Sequence, residues 1–217
     1  MQGMAVRLVM LGPPGAGKGT QAERVARERG VPHVSTGDIL REAVQAGTEL
    51  GRAAKSVMAS GALVGDDVVI GIVRERLARP DAAPGFVLDG FPRTVAQAEA
   101  LDESLDGAAP LVVVDIEVPT ETLVERISSR RICGSCGWVA TPDATVCRKC
   151  GGALVQRPDD TADVVRERLR VYARDTQPLV EFYRRRPTFR AVDGNQPPEG
   201  VARDIAAAIA AVLGAQR

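Results

Sequence analysis

The sequence predicts an α/β fold built on a parallel sheet, and three observations predict it. Short β-like apolar runs alternate with longer stretches of helical period. Three of those runs are nearly continuous in apolar residues, as strands buried on both faces of a sheet require. A glycine-rich turn stands directly between the first run and the first helical stretch.

In chain order, the β-like runs cover 6–11, 31–34, 86–89, 111–118 and 189–193, and the first, third and fourth are the continuous ones. Helical period covers 18–29, 38–46, 49–60, 67–78, 94–104 and 120–130. A further helical stretch starts at Asp163 and is expected to break at Pro178 before ending near Arg186. A last, alanine-rich one covers about 199–213. Two segments depart from simple alternation. Residues 35–64 make a helical excursion longer than a strand crossover needs. Residues 133–152 are rich in Gly, Cys and Pro, have no sustained period, and read as an insertion between two good helices.

Length and charge narrow the function. A chain of 217 residues, 45% apolar, suits one domain with insertions and buries a sizeable core. No window approaches the length of a membrane span. The start, Met1-Gln2-Gly3-Met4, lacks a basic segment followed by an apolar one, so secretion is not expected. The 28 basic side chains are matched by 28 acidic ones, which argues against a nucleic-acid or membrane-surface binder.

The turn after the first run reads Gly12-Pro13-Pro14-Gly15-Ala16-Gly17-Lys18-Gly19-Thr20. Its glycines let backbone N–H groups converge on phosphate oxygens, the following helix adds its N-terminal partial charge, and Lys18 reaches the β- and γ-phosphates. Gly19 stands where such loops usually place a hydroxyl, and Thr20 follows one position later. Cys133, Cys136, Cys147 and Cys150 form two CxxC knuckles separated by ten residues. Two facing knuckles suit a closed tetrahedral zinc site that is structural rather than catalytic, with a disulfide or redox pair as the alternatives.

Two further strings bear on an acceptor. Ser35-Thr36-Gly37-Asp38, with Arg41 one turn on, follows the second run; Asp89-Gly90-Phe91-Pro92-Arg93, with Gln97 four residues on, follows the third. Asp89 ends a buried strand at its carboxyl end, where open α/β sheets place ligands, and a carboxylate there suits a magnesium ion or a helix cap. Arg41 and Arg93 suit an acceptor phosphate. Arg126 and Arg130 share one helix face ahead of the insertion, and Arg157 and Arg168 follow it. Asp159 and Asp160 read either as a helix cap or as partners for those arginines. His33, the only histidine, reads as structural.

In order and spacing through essentially the whole chain, these strings closely resemble adenylate kinases of the long-lid, zinc-containing bacterial type. The resemblance implies a P-loop three-layer fold with a five-stranded parallel sheet, a core of residues 1–34, 65–128 and 161–217, an AMP-binding flap at 35–64 and a zinc-knuckle lid at 129–160. It implies reversible phosphoryl transfer between MgATP and AMP to give two ADP, with Lys18, Asp89, Arg93, Arg126, Arg130, Arg157 and Arg168 serving the reaction. AMP would lie among Thr36, Arg41, Ala62, Leu63, Val64, Gly90, Phe91, Pro92, Arg93, Gln97, Arg157 and Arg168, with Gln97 reading the adenine edge. ATP would lie on Gly15, Ala16, Gly17, Lys18, Gly19, Thr20 and Arg130, with Val139, Ala140 and Gln196 near its base. Mg²⁺ with ATP, structural Zn²⁺ and a cytoplasmic monomer follow from the same resemblance. The alternative is a kinase for another nucleoside monophosphate, or one using GTP as donor.

Overall fold

The computed structural model describes residues 6–105, 107 and 109–215, so the ends of the expected core, 1–5 and 216–217, lie outside the described residues. Five parallel strands form the sheet: β1 (Arg7–Leu11), β2 (His33–Ser35), β3 (Phe86–Asp89), β4 (Leu111–Glu117) and, at the far edge, the strand Phe189–Asp193. Their spatial order is β2, β3, β1, β4 and then that edge strand. Alternate residues of β1 point to opposite faces. Leu8 and Met10 join one apolar cluster with Ala22 and Val25 of α1 (Lys18–Arg29) and with Val201, Ile205 and Ile209 of the C-terminal helix Pro198–Gly214. Val9 and Leu11 join the other, with Val69 and Val73 of Asp66–Leu77, Leu101 of Val95–Ser104 and Tyr183 of Gln177–Arg184. The expected three layers follow. Each fully buried large apolar side chain contributes about 1.5–3 kcal/mol.

The excursion after β2 is a helical hairpin of α2 (Thr36–Gln45) and α3 (Glu49–Ala59), followed by α4 (Asp66–Leu77) and, after β3, α5 (Val95–Ser104). Ser35 and Thr48 cap α2 and α3 by accepting from the main-chain N–H groups of Asp38 and Gly51. Gly51 is where the two helices meet: a Cβ there would lie 2.0 Å from the carbonyl oxygen of Ala43. Glycine to alanine in an open helix normally adds up to about 1 kcal/mol of stability. Gly51→Ala is instead expected to cost about 1–3 kcal/mol by overpacking, read as a lower urea midpoint; an unchanged or raised midpoint would show that the hairpin spreads freely.

After β4, α6 (Thr120–Ser129) leads into the insertion, whose regular structure is the two-residue antiparallel pair β5 (Ile132–Cys133) and β6 (Leu154–Val155). The chain returns through α7 (Ala162–Val171) and α8 (Gln177–Arg184) to β7 (Phe189–Asp193) and α9 (Pro198–Gly214). The expected break at Pro178 does not occur. Residues Tyr172–Thr176 form a π turn in which the Gln177 N–H donates to the Tyr172 carbonyl five residues back. This widened turn shifts the hydrogen-bond register just ahead of Pro178, at the second position of α8, so the missing N–H and the ring fall where a new helical segment begins.

Candidate active site

β1 ends buried at Leu11 and the chain turns through Gly12, Gly15 and Gly17, whose φ angles are 136°, 86° and 93°. At Gly12 a Cβ would lie 2.7 Å from the Ile116 carbonyl oxygen, so the loop presses against β4 as only glycine permits. Lys18 opens α1 and donates to the carbonyls of Gly12 and Pro13 at 2.7 and 2.9 Å. Burial lowers its pKa to about 8; Asp89 opposes the shift, and Arg93, Arg168 and Arg130 add to it. At Asp89, burial pushes the carboxyl up, but His33, Lys18 and Arg93 outweigh it and hold the group below the usual carboxylate range. His33 Nε2 sits 3.7 Å from Asp89 Oδ2, which makes this histidine a neighbour of the site rather than a remote core residue. Gly19 acquires a physical reason: a Cβ on it would lie 3.2 Å from that same Asp89 oxygen.

Two open cavities adjoin here. The first takes Thr36 and Arg41 from α2, Ala62, Leu63 and Val64 from the stretch before α4, and Gly90, Arg93 and Gln97 from the β3–α5 corner. The second takes Gly12, Pro14 and Lys18 from the loop and Pro92 from the corner. Gly90, Arg93 and Arg168 line both. Thr36 Oγ1 donates to the Gly90 carbonyl at 2.7 Å and Arg93 Nε to the same oxygen at 2.8 Å, which ties the β2 and β3 corners together. Phe91 is 2% exposed and packs in the core cluster, so its side chain anchors the corner and does not line the first cavity.

The arginines divide. Arg130 grips the buried Asp160 through two bonds, and Arg168 reaches Asp159 and Asp160. Asp159 and Asp160 are therefore arginine partners; the N-cap position of α7 falls to Thr161, whose side chain makes no capping hydrogen bond. Arg157 Nε is buried without a hydrogen-bond partner among the described residues. Burial, with Arg41 and Arg130 close by, lowers its pKa to about 10. Arg126 instead donates to the Gly194 carbonyl at 3.0 Å, toward the loop that carries Gln196. The Gln196 side chain is held by the Asp193 carbonyl and Asp204, leaving its backbone for any ligand contact. Val139 is exposed on the insertion and pairs with Ile132, and the Ala140 N–H donates to the Arg131 carbonyl. Thr20 is exposed in the first turn of α1.

Within the insertion the four cysteine sulfurs lie within 4.8 Å of one another. Cys133 and Cys150 sulfurs are 3.4 Å apart and Cys136 and Cys147 sulfurs 3.5 Å, and all four thiols are free. A tetrahedron with zinc–sulfur bonds of about 2.3 Å has edges of about 3.8 Å, so the set fits that ion. Main-chain N–H groups of Ser135 and Lys149 point at Cys133 and Cys147 sulfur. Lys149 also reaches Glu23 of α1 at 3.7 Å, resting the insertion on the core.

Some neighbours of the site carry little signal in sequence. Tyr172 and Thr176 line the second cavity from the π turn, and Thr176 donates to the Arg93 carbonyl at 3.0 Å. Asp115 on β4 is 3% exposed with Oδ1 unpartnered among the described residues. Burial, then Glu117, raises its pKa from the ordinary 3.8 to about 6. The folded state thus keeps a proton between about pH 4 and 6 that the unfolded chain releases, and stability falls as pH rises through that window. Above it the cost is about 3 kcal/mol. Asp115→Asn is expected to recover most of that at pH 7.5 and almost none at pH 4, measured by denaturant unfolding; an equal effect at both would disprove the titration.

The phosphate loop, the carboxylate on the neighbouring strand and the shared arginines define a P-loop phosphotransferase. The family model for adenylate kinase matches residues 10–188. The chain is 53% identical over 210 residues to the adenylate kinase of Archaeoglobus fulgidus, covering 93% of this chain and 97% of the relative. It is 50% identical over 213 residues to that of Desulfitobacterium hafniense, covering 92% and 96%, and 45% identical over 215 residues to that of Clostridium tetani, covering 95% and 100%. The chain belongs to the adenylate kinase family.

Proposed function

We propose that the protein moves the γ-phosphoryl group of MgATP to AMP, reversibly, and yields two ADP. The observation that carries this reading is the pair of adjoining cavities, one bearing the phosphate loop and the other an acceptor pocket, which share Arg93 and Arg168. An oxygen of the AMP phosphate attacks the γ-phosphorus while the bond to the β,γ-bridging oxygen breaks. The attacking oxygen is already ionised at neutral pH, so no general base is required, and catalysis rests on positioning and charge neutralisation. Lys18, Arg93, Arg130, Arg157 and Arg168 supply that charge, and Arg41 holds the acceptor phosphate. Mg²⁺ bound with ATP would neutralise the β- and γ-oxygens, held by Asp89 directly or through water.

Arg126, Val139, Ala140 and the Gln196 backbone belong to the ATP side, and Thr36, Ala62–Val64, the Gly90–Arg93 corner and Gln97 to the AMP side. The flap, 35–64, and the lid, 129–160, move against the core and exclude water while ATP is committed. Zinc on the four cysteines staples the lid and leaves no open coordination position for chemistry. One chain supplies every group named, so a monomer suffices for the reaction. ADP formation from MgATP with AMP, GMP, CMP, UMP or no acceptor tests the reading. Rapid ADP production with AMP alone is expected. Transfer to another monophosphate would move the specificity, and acceptor-independent hydrolysis would overturn the reaction.

A further inference from the structure

Asp66, the first residue of α4, has no part in the reaction just described, yet its carboxylate is held from two sides. Oδ1 accepts from Gln97 Nε2 at 2.8 Å and Oδ2 from Thr94 Oγ1 at 2.9 Å. Gln97 Oε1 accepts from the main-chain N–H of Arg93 at 2.8 Å, and the Gln97 N–H donates to Thr94 Oγ1 at 3.2 Å. A side-chain amide has nearly the same shape either way round, and the chemistry of its partners tells oxygen from nitrogen. Both partners here act in one direction: a carboxylate accepts, and a main-chain N–H donates. Turning the amide over would set NH₂ against N–H and oxygen against carboxylate in a site where Gln97 is 1% exposed. The orientation is locked.

After those two bonds the amide keeps one N–H and one oxygen lone pair, and Gln97 lines the acceptor cavity. An adenine edge sets an acceptor, N1, beside a donor, the 6-amino group, and matches that remaining pair. A 6-oxopurine sets a donor, N1–H, beside an acceptor, O6, and matches the amide only when it is turned over. We propose that Asp66 is a specificity-determining positioning residue: by locking the Gln97 amide it admits 6-aminopurine monophosphates and rejects 6-oxopurine ones. The proposal rests on the reading of the first cavity as the AMP site.

IMP is the appropriate probe, since it differs from AMP at the 6-position and the N1 proton but lacks the extra amino group of GMP. Sites built around a hydrogen bond discriminate by up to about 10⁴–10⁵. In Asp66→Asn, which keeps the shape of the side chain, the ratio of kcat/KM for AMP to that for IMP is expected to fall at least about tenfold, partly through a gain with IMP, at unchanged KM for MgATP. Asp66→Ala, which removes the carboxylate half of the lock and leaves the Arg93 N–H on Oε1, is expected to lower the ratio in the same direction by less. If Asp66 only holds α4 and α5 together, both substrates suffer alike and the ratio stays put, which overturns the proposal. A wild-type protein with no preference for AMP over IMP would overturn the AMP reading itself, before any variant is made.

Discussion

Lys18→Met is expected to lower kcat by about 10²–10³-fold while leaving the melting temperature unchanged or slightly raised. The size follows from removing one preorganised cationic donor from a transition state whose charge lies on the equatorial oxygens. The sign of the stability change follows from the surroundings of the ammonium. Burial, Arg93, Arg168 and Arg130 all disfavour its charge, and Asp89 alone among the main influences favours it. Methionine forfeits the bonds to Gly12 and Pro13 but relieves that crowding. With its pKa lowered to about 8, part of the Lys18 population is neutral at pH 8, and a bound triphosphate restores the ammonium. Calorimetry at pH 8 in two buffers of different ionisation enthalpy is therefore expected to show proton uptake on ATP binding, absent in Lys18→Met. Near-normal turnover in that variant would remove the lysine from the reaction.

Much of this arrangement is legible in sequence because it is local. The β1 loop carries its glycines and lysine in one string, and β1, β3 and β4 announce themselves by burial on both faces. What is not legible depends on residues brought together across the chain. Asp66 meets Thr94 and Gln97 over 28 and 31 positions, and nothing in a pair of acidic residues at a helix start distinguishes it from ordinary first-turn charge. The Thr94-x-x-Gln97 spacing of a capping box was a usable signal, since it places the Gln97 side chain back over the helix start. Arg126 and Arg130 do not share a helix face as their spacing suggests: α6 ends at Ser129, so Arg126 in its last turn reaches Gly194, while Arg130, in extended backbone just past the helix, reaches Asp160. Phe91 sits inside the acceptor string, but an aromatic ring beside a buried strand end gains more from the core than from a polar cavity. The π turn ahead of Pro178 compensates a proline within a helix that packing maintains on both sides.

Stripping the metal from the lid is expected to lower the melting temperature by about 10 °C or more, since each kcal/mol moves a chain of this size by about 2–4 °C. The insertion has little else to hold it. Its strands β5 and β6 are two residues each, and two of the cysteines, Cys133 and Cys147, are among its few buried side chains. Apparent zinc affinities of about 10–16 kcal/mol in small finger peptides show that such a site alone can fold a module without a core. Turnover at low temperature is expected to fall far less, because Arg130, just past the end of α6, and Arg168, on α7, lie outside the knuckles and keep Asp160 between them. Elemental analysis of the untreated protein is expected to give one zinc per chain, and Cys147→Ser to reproduce the loss of stability. Immediate loss of transfer at an unchanged melting temperature would contradict a structural metal.

The contact between Gly19 and Asp89 makes two positions 70 residues apart in sequence a single design decision. A side chain on residue 19 and a carboxylate on residue 89 compete for the same few ångströms beside Lys18. A Cβ at 19 would press on Asp89 Oδ2 by a few tenths of an ångström, so a side chain fits there only as far as that carboxylate gives way. The two positions are therefore coupled: the effect of a substitution at 19 depends on the residue at 89, and a double-mutant cycle between them is expected to depart from additivity.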